Sequence, residues 1–137
     1  MTVGSGRCLC GLVSFTVRKN NEKVDACHCG MCRKWGGGPL MFVSSGPDVE
    51  FEGAENITVY NSSEWAERGF CKKCGSHLFY RFKETQDHEM LVGLFDNQND
   101  FEFDLQVFID KKPSFYNFAE KTGEMTEAQV IEEFSSK

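Results

Sequence analysis

The sequence lacks the features of membrane-spanning, secreted and nucleic-acid-binding proteins. It has no apolar stretch of about 18 residues, the length that a membrane-spanning helix needs. The first residues, MTVGSGRCLCG, have no basic stretch followed by an apolar core, so no signal peptide is expected. The 15 lysines and arginines occur in runs of at most two and the formal net charge is −6, which disfavours binding driven by phosphate neutralisation. A cytoplasmic protein with neither a membrane nor nucleic acid as partner is therefore expected.

The chain has enough apolar residues for one hydrophobic core. Hydrophobic residues make up 40% of it, and 13 of them are phenylalanines. Its length suits one ordinary domain, and no linker, low-complexity tract or internal repeat divides it. We therefore expect a single domain over residues 1–137, in which the cysteines are not substitutes for a core.

The seven cysteines occur in three short motifs. These are C-x-C at Cys8 and Cys10, C-x-C-x-x-C at Cys27, Cys29 and Cys32, and C-x-x-C at Cys71 and Cys74. An odd number of cysteines cannot pair completely within one chain, and cytosolic thiols stay reduced. Clusters of this kind predict metal sites rather than disulfides.

The spacing within these motifs suits a tetrahedral zinc ion. With Zn–S bonds of about 2.3 Å, the sulfurs lie roughly 3.7 Å apart. In an extended C-x-C segment both side chains project to the same face, and a C-x-x-C turn wraps the chain around the ion. Gly75, directly after Cys74, suits the positive φ that such a turn often needs. The pair lies between two predicted strands with no helical pattern after it, so a thioredoxin-type redox pair is the weaker interpretation.

Seven thiols make one set of four and one set of three. A structural zinc takes four protein ligands, whereas a catalytic zinc takes three and leaves one position for water or substrate. The C-x-C-x-x-C motif can supply three ligands by itself. That leaves the other four cysteines for a closed site joining the N-terminal region to a hairpin some sixty residues away.

Several alternatives to this partition remain open from the sequence. His28, His77 or His88 could close the second site as a Cys₃His set. The second site could also be partly or wholly empty, because three thiolates hold zinc less firmly than four. Iron or an iron–sulfur cluster is a further option, although the short C-x-C pairs favour a single tetrahedral ion.

Alternating apolar and polar residues predict a mainly β fold. The clearest strand is FEFDLQVFI at residues 101–109, and others are predicted at VSFTV, DACHC, LMFVS, VEFE, ITVYN, RGFC, HLFYRF and EMLVGLF. One helix is predicted at the C-terminus, where Thr126 and Gln129 form a capping box. Val130, Ile131 and Phe134 would form its inner face. The predicted class is antiparallel β with a short terminal helix.

Three motifs make the chain resemble a known family. GRCLCGLVSF, CHCGMCRKWGGG and RGFCKKCGSHL occur in the order and at the separations of the glutathione-dependent formaldehyde-activating enzyme family, also called the CENP-V/GFA domain. The resemblance covers nearly the whole chain and implies a β-tent of antiparallel sheets built around zinc sites. It implies a structural zinc on Cys8, Cys10, Cys71 and Cys74, and a catalytic zinc on Cys27, Cys29 and Cys32.

The resemblance also implies a carbon–sulfur lyase that forms S-(hydroxymethyl)glutathione. A thiol at an open zinc position would be held as a thiolate, because the cation lowers its pKa, and could attack a small aldehyde. The expected partners are therefore a small-molecule thiol such as glutathione and a small aldehyde. The alternative is a non-catalytic, zinc-stabilised binding module, since CENP-V itself is chromosome-associated. The acidic balance and the absence of a basic tail disfavour that alternative.

Two places depart from the family pattern. Many members have a late histidine in a strand, followed by a Lys-Pro or Lys-Ala step and a tryptophan. This chain has Gln106 in the first place and Phe115 or Tyr116 in the second. If these residues shape the substrate pocket, the expectation of glutathione as the substrate is weakened, whereas the cysteine motifs are unaffected.

Four other residues are candidates for contact with substrate. Arg33, Arg68 and Arg81 could bind the carboxylates of an anionic thiol, and Trp35 could line a pocket. The plain alternatives are surface arginines in solvent and an ordinary packed tryptophan.

Overall fold

Two β-sheets make up most of the structure, as the alternating pattern predicts. The computed structural model describes residues 2–135, with only the backbone described at residues 2, 3, 19 and 20. Its strands are β1 (Thr2–Arg7), β2 (Ser14–Asn20), β3 (Lys23–Cys27), β4 (Leu40–Gly46), β5 (Val49–Glu52), β6 (Ile57–Tyr60), β7 (Ala66–Cys71), β8 (His77–Phe82), β9 (His88–Leu91), β10 (Glu102–Val107) and β11 (Gly123–Met125). Its helices are α1 (Gly30–Gly36) and α2 (Glu127–Ser135), with short 3₁₀ turns at Ala54–Asn56, Val92–Leu94 and Ile109–Lys111. The predicted class, mainly β with a short C-terminal helix, is confirmed.

The two sheets differ in size and in strand direction. The small sheet has the order β1-β2-β5, and the large sheet has the order β11-β10-β3-β4-β9-β8-β7-β6. Strand β10 runs parallel to both of its neighbours, β3 and β11, whereas the other pairs within the described residues are antiparallel. The large sheet is therefore mixed at this end, which corrects the expectation of purely antiparallel pairing. Parallel neighbours need long connections, and those leave no local signal in the sequence.

The main core lies between the two sheets and follows the predicted alternation. Val13, directly before β2, and Phe15 and Val17, on one face of β2, are almost fully buried. They pack in one cluster with Leu78 and Phe79 of β8. A smaller cluster surrounds Cys27 and Cys32 and includes residues of β4. The two groups of cysteines therefore belong to different parts of the core.

The C-terminal helix α2 has the predicted cap but packs less deeply than predicted. Thr126 N–H donates to Gln129 Oε1 at 2.7 Å, and Gln129 N–H donates to Thr126 Oγ1 at 3.2 Å, which confirms the capping box. Ile131 is 55% exposed, so its predicted place on the inner face is wrong. Phe134 is also half-exposed, and its ring lies 5.0 Å from that of Phe82. Within residues 2–135, no helix has the length and apolar character needed to cross a membrane.

The burial of His88 predicts that stability falls in acid. Its ring is 4% exposed and lies 5.2 Å from the ring of Phe79, and Nδ1 is 3.1 Å from the carbonyl oxygen of Gly46. Burial lowers the pKa of His88 below its ordinary value of 6.5. The unfolded chain therefore binds a proton more readily as the pH falls below about 6.5, and the stability contributed by the neutral ring is lost.

We expect His88→Asn to have a lower melting temperature than the unsubstituted protein at pH 7.5, but a smaller further loss at pH 5.5. Asparagine retains a donor toward the Gly46 carbonyl and does not titrate in this range. Thermal melts give the melting temperature of each protein at both pH values. Comparing the loss between pH 7.5 and pH 5.5 in the two proteins cancels the pH effects that they share. Equal losses of melting temperature on acidification would contradict the assignment.

Candidate metal centre

Four cysteines from distant parts of the chain meet beside the main core. The sulfurs of Cys8, Cys10, Cys71 and Cys74 all lie within 4.8 Å of one another. The separation is 3.6 Å between Cys8 and Cys10, and 3.8 Å between Cys10 and Cys71. These two values are close to the roughly 3.7 Å expected around a tetrahedral zinc ion. This four-sulfur group could therefore hold one metal ion.

The first two sulfurs of this group are presented by a turn. Cys8 N–H donates to the carbonyl oxygen of Val13 at 2.9 Å, and Gly11 N–H donates to that of Cys8 at 3.1 Å. Gly11 has a φ of 83°, a conformation that favours glycine. The expected extended geometry of C-x-C is therefore replaced here by a tight turn. Val13 N–H points at the Cys8 sulfur, 3.4 Å away, and so can stabilise a thiolate.

The other two sulfurs are presented by the predicted C-x-x-C turn between β7 and β8. Gly75 N–H donates to the carbonyl oxygen of Cys71 at 2.8 Å, and its φ of 79° confirms the predicted positive φ. Ser76 joins the two turns, because its hydroxyl accepts from Leu9 N–H at 3.1 Å and lies 3.2 Å from the Cys74 sulfur. Hydrogen bonding by Ser76 lowers the pKa of Cys74 to about 5, which favours its thiolate form.

The remaining three cysteines form a second group on β3 and α1. Cys27 ends β3, and the sulfurs of Cys27, Cys29 and Cys32 lie within 4.8 Å of one another. Cys29 is the N-cap of α1, and its sulfur accepts from Cys32 N–H at 3.3 Å. The helix begins directly after the second cysteine of the motif, so its first turn brings the third sulfur back toward the first two. This three-sulfur group could also hold one metal ion.

Sequence reasoning did not predict α1. The helix has seven residues, and its sequence GMCRKWG has no apolar period long enough to be recognised. One sequence signal marks its end: Gly37, since glycine is common where a helix ends, and here it is the C-cap with a φ of 86°.

Close packing of the three thiols makes their ionisation unequal. Hydrogen bonds from Cys27 and then from Cys32 lower the pKa of Cys29 to about 2. The hydrogen bonds of Cys27 to Cys29 and Cys32, followed by burial, raise the pKa of Cys27. Without a cation, one negative charge is favoured and further charges are opposed. All three sulfurs can be thiolates together when a divalent cation lies among them, which is the donor set that zinc prefers.

Within residues 2–135, no histidine joins either sulfur group. His28 is fully buried, with Nδ1 2.7 Å from the Tyr116 hydroxyl and Nε2 2.8 Å from Gln106 Oε1. His77 stacks on Trp35 at 3.8 Å with an interplanar angle of 6°. The expected alternative, a histidine as fourth ligand of the three-sulfur group, is therefore not found among the described residues.

The two places that depart from the family pattern meet at His28. The alternation along β10 places Gln106 on the polar face of the strand, but its side chain is only 5% exposed. It is buried because it forms a hydrogen bond with the buried ring of His28. Its amide nitrogen donates to the Thr122 hydroxyl at 3.1 Å. Tyr116 bonds to the other ring nitrogen, and Phe115 beside it is 84% exposed. These hydrogen bonds fix the backbone between Cys27 and Cys29.

A cavity of about 450 Å³ opens beside α1. Its lining includes Arg33, Lys34, Pro39, Pro113, Phe115 and Tyr116. It therefore combines two cationic side chains with aromatic walls and lies next to the helix that carries Cys32. Trp35 is not in this lining but packs against the smaller core cluster.

The three candidate arginines have different surroundings. Arg33 lines the cavity, and its Nε donates to the carbonyl oxygen of His28 at 3.0 Å. Arg81 forms an ion pair with Glu67 at 2.7 Å. Arg68 is 3% exposed, so its interpretation as a surface arginine is wrong. Of the three, Arg33 alone remains placed to meet a carboxylate of a ligand in this cavity.

Fold and site together define a mainly β protein with two cysteine groups, each compact enough for a single metal ion. The chain belongs to the glutathione-dependent formaldehyde-activating enzyme family, whose family model matches residues 3–111.

Two similar proteins support this membership and the fold. The chain is 35% identical over 127 residues to an uncharacterized lyase of Schizosaccharomyces pombe, a match that covers 92% of this chain and 93% of that one. A crystal structure of a Rhodobacter sphaeroides protein superposes with a TM-score of 0.59 at 24% identity, covering 69% of this chain and 90% of that chain. The second likeness supports the fold alone.

Proposed function

We propose that this protein is a zinc-dependent carbon–sulfur lyase that acts on the adduct of a thiol and a small aldehyde. The observation that carries the proposal is the difference between the two sulfur groups. One has four cysteines, and the other has three with no further cysteine, histidine or carboxylate in the group within residues 2–135. A set of three protein ligands is typical of a catalytic zinc, and a set of four is typical of a structural one. The family description, with glutathione and formaldehyde in its name, supports this substrate class.

The ligand assignments are part of the proposal. Cys8, Cys10, Cys71 and Cys74 would hold a structural zinc, and Cys27, Cys29 and Cys32 would hold the second. Zinc in the second group would stabilise the anionic form of a thiol substrate. We further propose that residues 1–137 form one domain around these two centres.

The residues of the chain would orient the substrate thiol and hold the three sulfurs in place. The N-cap position of Cys29 fixes its sulfur relative to Cys32. The two hydrogen bonds of His28 restrain the peptide groups on either side of it, which connect Cys27 and Cys29. Such positioning lowers the entropic cost of bringing thiol and aldehyde together.

The cavity beside α1 suits the remainder of a glutathione-like thiol. Arg33 and Lys34 provide two positive charges for carboxylates, and Phe115 and Tyr116 provide apolar surface. Because Phe115 and Tyr116 are also where the chain departs from its family, we propose that this wall determines which thiol is accepted.

The test is a direct assay of adduct formation. Glutathione and formaldehyde are mixed with the zinc-loaded protein, and exchange between free thiol and S-(hydroxymethyl)glutathione is measured by NMR. The proposal expects exchange faster than in the protein-free mixture, and the same signal identifies the product. An unchanged rate with fully zinc-loaded protein would overturn the lyase proposal and favour a non-catalytic binding module.

A substitution in the cavity tests the proposed place of the carboxylates. We expect Lys34→Met to weaken glutathione binding by roughly twofold to fivefold, since an exposed charge pair contributes modestly and is screened by salt. Binding of 2-mercaptoethanol, which has no carboxylate, should not change. Isothermal titration measures both affinities, and Lys73→Met, an exposed lysine outside the cavity lining, is the matched control. A proportionate loss for both thiols would place the carboxylates elsewhere.

A further inference from the structure

Arg68 is a buried cation that faces the three-sulfur group. Its side chain comes from β7 and is 3% exposed. Its two terminal nitrogens each lie 3.7 Å from the sulfur of Cys32. The ion pairs found within the described part of the chain do not include Arg68, so no described carboxylate lies within ion-pair distance of this guanidinium. A buried charge without a partner is costly, and the thiolates are the anions placed to offset it.

Two aromatic rings hold the guanidinium in this position. Its central carbon lies 5.1 Å from the ring centre of Trp35 and 4.9 Å from that of Tyr80. Contacts of this kind are attractive and strengthen when water is excluded. The side chain is therefore restrained on the side facing Cys32, where its N–H groups can donate to the sulfur.

We propose that Arg68 is the counter-charge of the three-sulfur group and gives that group its preference for an anionic ligand. This inference rests on the proposed function, in which Cys27, Cys29 and Cys32 hold a divalent cation. Three thiolates and one such cation carry a single net negative charge, and a bound thiolate adds a second. Arg68 offsets one of these charges at close range in a site of low dielectric constant. A neutral ligand such as imidazole adds no charge and gains little from the guanidinium.

The competing explanation is that Arg68 only packs between two rings. Packing alone depends on the length and shape of the side chain, whereas a counter-charge depends on its sign. Arg68→Met keeps an unbranched side chain and removes the charge, and Arg68→Lys keeps the charge without the planar fork. The matched control is Arg81→Met on β8. In the pairing of β7 with β8, Arg68 lies opposite Tyr80 and Arg81 lies opposite Glu67. Successive side chains along a strand point to opposite faces, so Arg81 projects from the face of the sheet opposite to that of Arg68.

The experiment uses the full-length protein loaded with Co²⁺, whose visible absorption reports the ligands at each ion. Each protein is titrated with 2-mercaptoethanol and, separately, with imidazole, with a phosphine as the reductant. We expect Arg68→Met to weaken 2-mercaptoethanol binding by roughly tenfold to a hundredfold and to change imidazole binding by less than about threefold. Arg68→Lys should recover part of the thiol affinity, and Arg81→Met should match the unsubstituted protein.

Three results would be decisive. Equal thiol affinity in Arg68→Met and the unsubstituted protein, both holding the second Co²⁺ ion, would overturn the inference and leave the proposed function standing. An equal loss of affinity for both ligands would assign Arg68 to packing. An unsubstituted protein that holds no second ion would overturn the proposed function itself, and this inference with it. Arg68→Gln is made in parallel, and the comparison uses whichever neutral variant retains the Co²⁺ ion of the four-sulfur group and is therefore folded.

Discussion

Cys71→Ser is expected to prevent the protein from folding. Cys71 is fully buried at the end of β7 and belongs both to the four-sulfur group and to the main core. Serine retains the approximate size but replaces a soft thiolate with a hydroxyl that binds zinc poorly. Binding of a structural zinc contributes about 10–16 kcal/mol in small zinc peptides, which is comparable to the whole stability of a typical domain, about 5–15 kcal/mol. Loss of this ion should therefore leave little net stability.

Circular dichroism and zinc content test this expectation together. The variant should lack a cooperative thermal transition and should bind little zinc or aggregate. Lys73→Ser, an exposed position in the same turn, is the control and should melt like the unsubstituted protein. A cooperative melt of Cys71→Ser within a few degrees of the unsubstituted protein would contradict a structural role for this group.

Cys29→Ser is expected to leave the fold intact and remove the proposed lyase activity. Cys29 is only half-buried, and its local structural role is to cap α1. Serine is among the best N-cap residues, so it can accept the Cys32 N–H bond that the sulfur accepts now. The second metal site would be left with two thiolates and should lose its ion. Since disturbing even the outer partners of a metal site costs about 10–100-fold, losing a ligand should lower the adduct-forming rate by at least about a hundredfold.

The two cysteine variants are compared by their thermal stability and by their zinc content. Cys29→Ser should melt within a few degrees of the unsubstituted protein and bind one zinc ion fewer, whereas Cys71→Ser should not melt cooperatively. Met31→Ser, on the exposed side of the same helix, is the matched control and should keep both zinc and activity. If Cys29→Ser unfolds and Cys71→Ser does not, the structural and catalytic roles of the two groups must be exchanged.

Local patterns predicted nine of the eleven strands and missed β1 and β11. The segments VEFE and HLFYRF become β5 and β8 with the predicted bounds, because each carries its own alternation. The capping box of α2 was predicted equally well, since both of its residues are close in sequence. The division of the seven sulfurs into groups of four and three is also found in the structure. The metal ions and the roles of the two groups remain predictions.

Features that depend on long-range contacts could not be predicted. The parallel pairing of β10 with β3 joins distant segments and leaves no periodic signal. The depth of α2 depends on how closely the rest of the fold approaches it, so the burial of Ile131 was overestimated. Arg68 is the clearest case. Nothing in AERGFC marks one arginine as buried, because its burial depends on Trp35, Tyr80 and Cys32 from elsewhere in the chain.

The central claim is that Cys27, Cys29 and Cys32 hold a second zinc ion whose fourth ligand can be replaced by a thiol. Zinc analysis combined with a zinc-edge X-ray absorption spectrum, recorded with and without glutathione, tests it most directly. The account predicts two zinc ions per chain and a rise in average sulfur coordination when glutathione is added. A single zinc ion per chain, with a spectrum that glutathione leaves unchanged, would contradict it.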